Sequence, residues 1–314
     1  MADEETPTMR RRRLRCRVEE LASSQDGIVS RAQIRDLGLT RFDVRTQVRA
    51  GRWQKPSLHT VAMFTGQLNE RQHWWVAVLE TGCGRAALDG ATALQAAGLQ
   101  GYTGPTTISC PHGATARQAP GVDLRSTRWR RTDDCVGAGI PRLRPARAAV
   151  HGALWARTDR QAALLVVMSV QQRLTTARRV RHELAQIKRH PRRRWLTTVV
   201  DDVVDGARAL GELDFARLCR RRGLPEPSRQ VPRRGPRGRV YLDVYFDQFR
   251  LVVEIDGGHE LPGNQVDDAL RQNELAIGQE TVLRIPLLGL RIQSGDFMDQ
   301  LARALASRGW QAAA

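Results

Sequence analysis

An α/β protein of several domains is what this sequence predicts, with helices leading and a sheet-bearing core near the end. Three observations carry that reading. The chain has 314 residues, more than one hydrophobic core usually organises. Apolar residues recur at helical spacing near the start, as in Leu14, Val18 and Leu21, but alternate with polar ones in YLDVYFDQFRLVVEIDGGHE at 241–260. Between these stretches, turns rich in glycine and proline separate short β-prone runs.

Residues 1–13 are polar, then basic, and are expected to form a disordered tail. Residues 14–65 read as three helices and a short hairpin. Ser30 is placed to cap a helix over Arg31–Leu37, ended by Gly38, and Thr40 to cap one over Arg41–Ala50, ended by Gly51. The joint Gly38-Leu39-Thr40 is of helix-turn-helix type, and Trp53–Met63 reads as a small wing. Residues 70–150 form a mixed α/β segment: a helix at 70–81, a strand start and helix in AALDGATALQAAGL, and strands at 106–110, 122–129 and near Ile140. Residues 151–204 read as a helical connector, with a buried stripe at Ala162–Val170 and a helix after Pro191 that buries Leu196, Val199, Val200 and Val203. Residues 205–310 alternate: helix 211–223, strands 240–246 and 250–256, a helix near 266–278, a strand at 280–286 and a closing helix.

The net charge of +17 and the isoelectric point near 11.2 favour a polyanionic partner, nucleic acid above all. The basic residues are arginine except at Lys55 and Lys188, and the guanidinium fork suits phosphate. No run of 18 apolar residues occurs, so no membrane span is expected. The first residues lack the apolar stretch of a signal peptide, and a cytoplasmic location is expected. Five cysteines, at 16, 83, 110, 135 and 219, form no Cys-x-x-Cys pair; reduced thiols are expected, not a disulfide framework or a zinc site.

The hairpin at 241–260 is the first candidate for chemistry. A turn centred on Gln248-Phe249 sets Leu242, Val244 and Phe246 opposite Ile255, Val253 and Leu251 on one face. Asp243 then lies opposite Glu254 on the other face, with Asp256 two residues on. Like charges opposed across a strand pair cost stability, and a bound cation offsets that cost.

The words GIVSRAQIRDLGLT and RFDVRTQVRAGRWQKPSLHTVA resemble the winged helix-turn-helix domain at the start of AbiEi-type (type IV) antitoxins, over roughly residues 14–65. Residues 80–150 look more loosely like the body of the same group. The resemblance implies a recognition helix at Arg41–Ala50. Arg41, Arg45, Gln47 and Arg49 would then reach base edges or phosphates of double-stranded DNA. Arg52 and Lys55 would lie where a wing touches the backbone. It also implies a cognate toxin as a partner.

A second resemblance covers roughly residues 205–308. The words GELDFARLCRRRGLPEP, VYLDVYFDQFRLVVEIDGGHE and LRQNELAIGQETVLRIP, in that order, are similar to small domains related to the very-short-patch repair endonuclease. That implies a restriction-endonuclease-like α/β core. Its magnesium ligands, or manganese ligands, would be Asp243 and Glu254, joined by the carbonyl of Ile255, with Glu212 as the acid of the preceding helix. The superfamily's lysine two residues after the second acid is absent; Asp256 stands there. His259 is the nearest general acid/base, and Arg271 a nearby cation. The arginine runs at 192–194, 220–222 and 233–239 flank this module and suit phosphate tracking. Two functions stay open: a metal-dependent endonuclease guided by its own winged helix, and an antitoxin-like transcriptional regulator with a non-catalytic nuclease fold. Action on RNA is a third.

Overall fold

The computed structural model describes residues 6–131, 133–204, 215–234, 240–256, 269, 270, 273 and 282–311. It is α/β, with three small sheets among those residues. The chain divides into two units, Met1–Ala148 and Ala149–Ala314. No helix of the described residues is long and apolar enough to cross a membrane.

The first unit opens with α1 (Pro7–Ser23). The tail expected over residues 1–13 is therefore helical from Pro7 onward. Thr6 caps it, accepting a hydrogen bond from the Met9 N–H at 3.3 Å, and Pro7 occupies a first-turn position. Arginine is a good helix former, and Leu14, Val18 and Leu21 continue the helix onto the core. A short strand β1 (Ile28–Ser30) leads into α2 (Arg31–Asp36) and α3 (Arg41–Arg49), and β2 (Thr60–Ala62) follows. Both caps expected from the sequence form as full capping boxes, Ser30 with Gln33 and Thr40 with Asp43. Gly38 ends α2 at φ 94°, a left-handed conformation that costs other residues energy. β1 pairs antiparallel with β2, Val29 opposite Val61, and Gln54 bridges Ala62. Val18, Val29, Ile34, Leu39, Val44, Trp53 and Val61 make the core between these elements.

Next come α4 (Glu70–Glu80), β3 (Ala87–Leu88), α5 (Gly90–Ala96), β4 (Thr106–Pro111) and β5 (Val122–Thr127). β4 lies between an antiparallel β3 and a parallel β5. The strand expected near Ile140 is reduced to isolated bridges, Leu88 with Arg142 and Cys135 with Leu143. Ile140 itself is buried, so its apolar character reflects packing and not a ladder.

Helices α6 (Pro145–Trp155), α7 (Asp159–Gln171), α8 (Ala177–Ala185), α9 (Arg193–Val204) and α10 (Phe215–Arg221) precede a four-stranded sheet. Its strands are β6 (Arg229–Arg234), β7 (Val240–Phe246), β8 (Leu251–Asp256) and β9 (Val282–Pro286), hydrogen-bonded in that order. β6, β7 and β8 run antiparallel, and β9 is parallel to β8. The sequence reading did not include β6. Pro232 and the arginines at 229, 233 and 234 hide any alternation, and proline is tolerated because β6 is an edge strand. Two helices close the chain, α11 (Leu287–Ile292) and α12 (Ser294–Ala306).

The register of β7 on β8 is the one expected from the hairpin pattern: Leu242 opposite Ile255, Val244 opposite Val253, Phe246 opposite Leu251. The connection is a 3-10 turn at Asp247–Phe249 closed by Arg250 at φ 50°, longer than two residues but with the same centre. The apolar face of the sheet packs on Ala163, Val167, Val199, Phe215, Phe297 and Leu301 from the surrounding helices. The opposite face carries Asp243, Tyr245, Glu254 and Arg284, interleaved with Val231, Val252 and Val282.

Candidate functional site

That opposite face brings the two expected acids together. Asp243 of β7 lies directly across from Glu254 of β8. Asp243 is 0% exposed, and the Glu254 side chain is 26% exposed. Tyr245, two residues along β7, donates its hydroxyl to Asp243 Oδ2 at 3.3 Å. The Arg229 guanidinium stacks 4.1 Å from the Tyr245 ring centroid and lies 3.6 Å from Asp247, which steadies the ring. Asp256, opposite Tyr241, is half-buried on the same face.

The sequence reading missed Arg284. β9 sets it directly opposite Glu254, so Val231, Asp243, Glu254 and Arg284 form one row across four strands. Arg284 Nε donates to Glu254 Oε2 at 3.3 Å. Asn273 fixes the backbone at that point, its amide accepting from the Arg284 N–H at 3.0 Å and donating to the Arg284 carbonyl at 2.9 Å. The only signal in the sequence is an arginine inside the apolar run VLRIP.

Glu212, His259 and Arg271 lie outside the described residues. Among the described residues no three or more His, Cys, Asp or Glu side chains gather as a metal cage. The donor set is thus a carboxylate pair. Two oxygens of this kind fit magnesium, which keeps several waters and binds through one or two carboxylates. The cysteines are free thiols. Burial pushes Cys219 up to about 12, and burial together with the Cys83 thiol does the same for Cys110, so neither is a thiolate nucleophile near neutral pH.

The second candidate surface lies on α2 and α3. Arg41, Arg45 and Lys55 line a groove of about 640 Å³, joined by Arg31 and Arg35 of α2 and by Phe42. Phe42 is 61% exposed, with the Arg41 guanidinium 4.9 Å from its ring centroid. Arg31, Arg35 and Phe42 were not singled out from the sequence; only the spacing of the two arginines, four apart on one helix, hints at a shared face. Gln47 is half-buried and accepts from Arg52 Nε at 2.6 Å, so it holds Arg52 in place. Arg49 and Arg52 are exposed but do not line the groove. Partial burial acts to raise the pKa of Asp43. The Thr40 hydroxyl and N–H, with Arg11, outweigh it and hold the carboxyl below the ordinary aspartate value.

No protein-family model matches the chain, and no curated protein matches it. Among solved structures it is similar to the RV2827C protein from Mycobacterium tuberculosis, with 18% sequence identity and a TM-score of 0.37 over 67% of this chain and 83% of that one.

Proposed function

We propose that the chain binds duplex DNA through α3 of a winged helix-turn-helix and that its second unit is a magnesium-dependent endonuclease core of restriction-endonuclease type. The observation that carries the nuclease reading is the row of Asp243 and Glu254, opposed in register on the polar face of a sheet built as a three-stranded antiparallel meander plus a parallel fourth strand. A protein that only bound DNA would gain nothing from opposed carboxylates of which one, Asp243, is fully buried. The DNA reading rests on the order of α2, turn, α3 and β2, with five basic residues around one groove.

In this reading Asp243 and Glu254 hold magnesium, or manganese, and Tyr245 fixes the rotamer of Asp243. The bound ion would polarise the scissile phosphate and acidify a water. Arg284 supplies the positive charge that lysine gives elsewhere in the superfamily, one strand over from Glu254 instead of two residues along. A guanidinium offers donors and no acceptor, so its role is to neutralise phosphate charge and not to take a proton. The purified protein is expected to nick or cleave plasmid DNA with Mg2+ or Mn2+. Asp243→Ala and Glu254→Ala are expected to abolish cleavage while retaining a gel shift on duplex DNA. Cleavage unchanged in both variants sinks the nuclease assignment.

Asp256 in the lysine position favours a second reading, a non-catalytic regulator of the AbiEi-antitoxin kind acting with a cognate toxin. Wild-type protein that cleaves no substrate but shifts its own promoter decides for it, and an adjacent gene for a nucleotidyltransferase-like toxin supports it.

A further inference from the structure

We propose that the arginine-rich start of α1 is a second contact to the DNA backbone, beside the groove lined by α3. This rests on the DNA-binding reading above. The segment would be a freely moving basic tail if it were disordered; instead it is helix from Pro7, capped by Thr6. Two contacts fix where that helix leads. The Leu14 side chain lies against the turn between α2 and α3: a Cβ on Gly38 would stand 3.5 Å from both of its terminal carbons. One turn earlier, Arg11 Nε lies 3.8 Å from Asp43 Oδ1, in the first turn of α3. The first turn of a recognition helix is the end that meets base edges. α1 therefore runs from the core toward the end of α3 that approaches DNA, and seven residues, Pro7–Arg13, extend past Leu14. At 1.5 Å per residue that overhang is about 10 Å, a length over which duplex DNA presents on the order of six charges.

The charge pattern fits a polyanion better than water. Arg10, Arg12 and Arg13 are exposed. The first turn of α1 holds no acid, and its glutamates, Glu19 and Glu20, lie near the far end. Like charges spaced three or four apart on a helix repel each other; Asp43 offsets this at Arg11 and Glu19 at Arg15. The positive end of the helix dipole adds to the same field. Phosphates along a duplex flanking the α3 site relieve this repulsion.

The test uses the full chain and a duplex obtained by selection from random sequence. Binding is followed by fluorescence anisotropy over a range of KCl concentrations. Replacing Arg10, Arg12 and Arg13 together by Gln, which keeps helix propensity, is expected to flatten the slope of log K against log salt. The change should be roughly 0.9 for each phosphate no longer neutralised, roughly two to three in all. Hydroxyl-radical protection is expected to shorten at one edge of the footprint. The matching triple substitution by Lys is expected to keep the wild-type slope. Should the triple Gln variant fail to fold, single Arg10→Gln and Arg12→Gln variants are read the same way, each expected to flatten the slope by about 0.9. A folded Gln variant with the wild-type slope and footprint overturns the inference and leaves DNA binding by α3 standing. Wild-type protein that binds no duplex at all overturns both.

Discussion

In the four-stranded sheet, the ion pair between Glu254 and Arg284 is the contact on which the proposed chemistry would turn. The Arg284 guanidinium, at 3.3 Å from Glu254, offsets part of the charge that Asp243 and Glu254 bring together. A dication bound at the same carboxylate, as proposed, would compete with it. Arg284→Gln is therefore expected to bind Mn2+ several-fold more tightly by calorimetry, yet to cleave DNA about a hundredfold more slowly, the usual cost of removing one preorganised donor from a developing charge. Arg284→Lys should fall between. Equal Mn2+ affinity in wild type and Arg284→Gln would show that the arginine does not share the carboxylate with the metal. The two acids were legible in the sequence because side chains alternate with a period of two, so a turn centre at Gln248-Phe249 fixes every opposed pair in the hairpin. Arg284 was not legible. Its row depends on the parallel register of β9 on β8, and parallel strands are joined by a crossover, not a tight turn. Local pattern says nothing about where such a connection lands.

Single elements succeed or fail on their end groups. α3 is nine residues long, too short to hold itself in water, so its capping box and the packing of Val44 carry it. Thr40 donates its hydroxyl to Asp43 Oδ2 at 2.6 Å and its N–H to the same oxygen at 2.8 Å. Losing an N-cap side chain costs about 1 kcal/mol. Thr40→Ala is expected to lower the protection of α3 amides from hydrogen exchange by about that amount near neutral pH. The folded pKa of Asp43 lies below its unfolded value. Stability from this carboxylate is thus fully present above the unfolded value, near 3.9, and is lost as pH falls through the folded one. The gap between Thr40→Ala and wild type should narrow in that acid window; a gap independent of pH would mean that the hydroxyl alone does the capping. Ser30 and Thr40 could be read because capping residues sit before helical apolar spacing. The start of α1 was misread because charge density suggested a tail, whereas Thr6, Pro7 and the stripe through Leu14 and Val18 specify helix. β6 was missed for the opposite reason: its pairing with β7 supplies what its own residues do not announce.

At the scale of the molecule, the charge of +17 is spread over a chain whose two units hold separate hydrophobic clusters, one around Val29 and Trp53, the other around Val253 and Phe215. The basic groove of α2 and α3 belongs to the first unit, and the carboxylate row to the second. Sites that belong to separate cores are expected to respond independently, with effects that add within about 0.5 kcal/mol. The proposed functions should therefore come apart cleanly. Arg41→Ala with Arg45→Ala is expected to weaken duplex binding at least tenfold at moderate salt and to flatten its salt dependence, while Mn2+ binding stays at the wild-type value. Asp243→Ala is expected to do the reverse, removing Mn2+ binding and cleavage with duplex affinity unchanged. Combining all three substitutions should give both losses, each of the size seen alone. The comparison that decides is Mn2+ affinity in the Arg41→Ala, Arg45→Ala protein, measured with and without duplex. A shift without DNA would show that the two units are energetically coupled, and the independence argued from their separate cores would be wrong. A shift only with DNA, present in wild type and absent in the variant, would show that duplex held by the first unit brings phosphates to the carboxylate row. That linkage separates a guided nuclease from a DNA-binding regulator carrying an inert sheet.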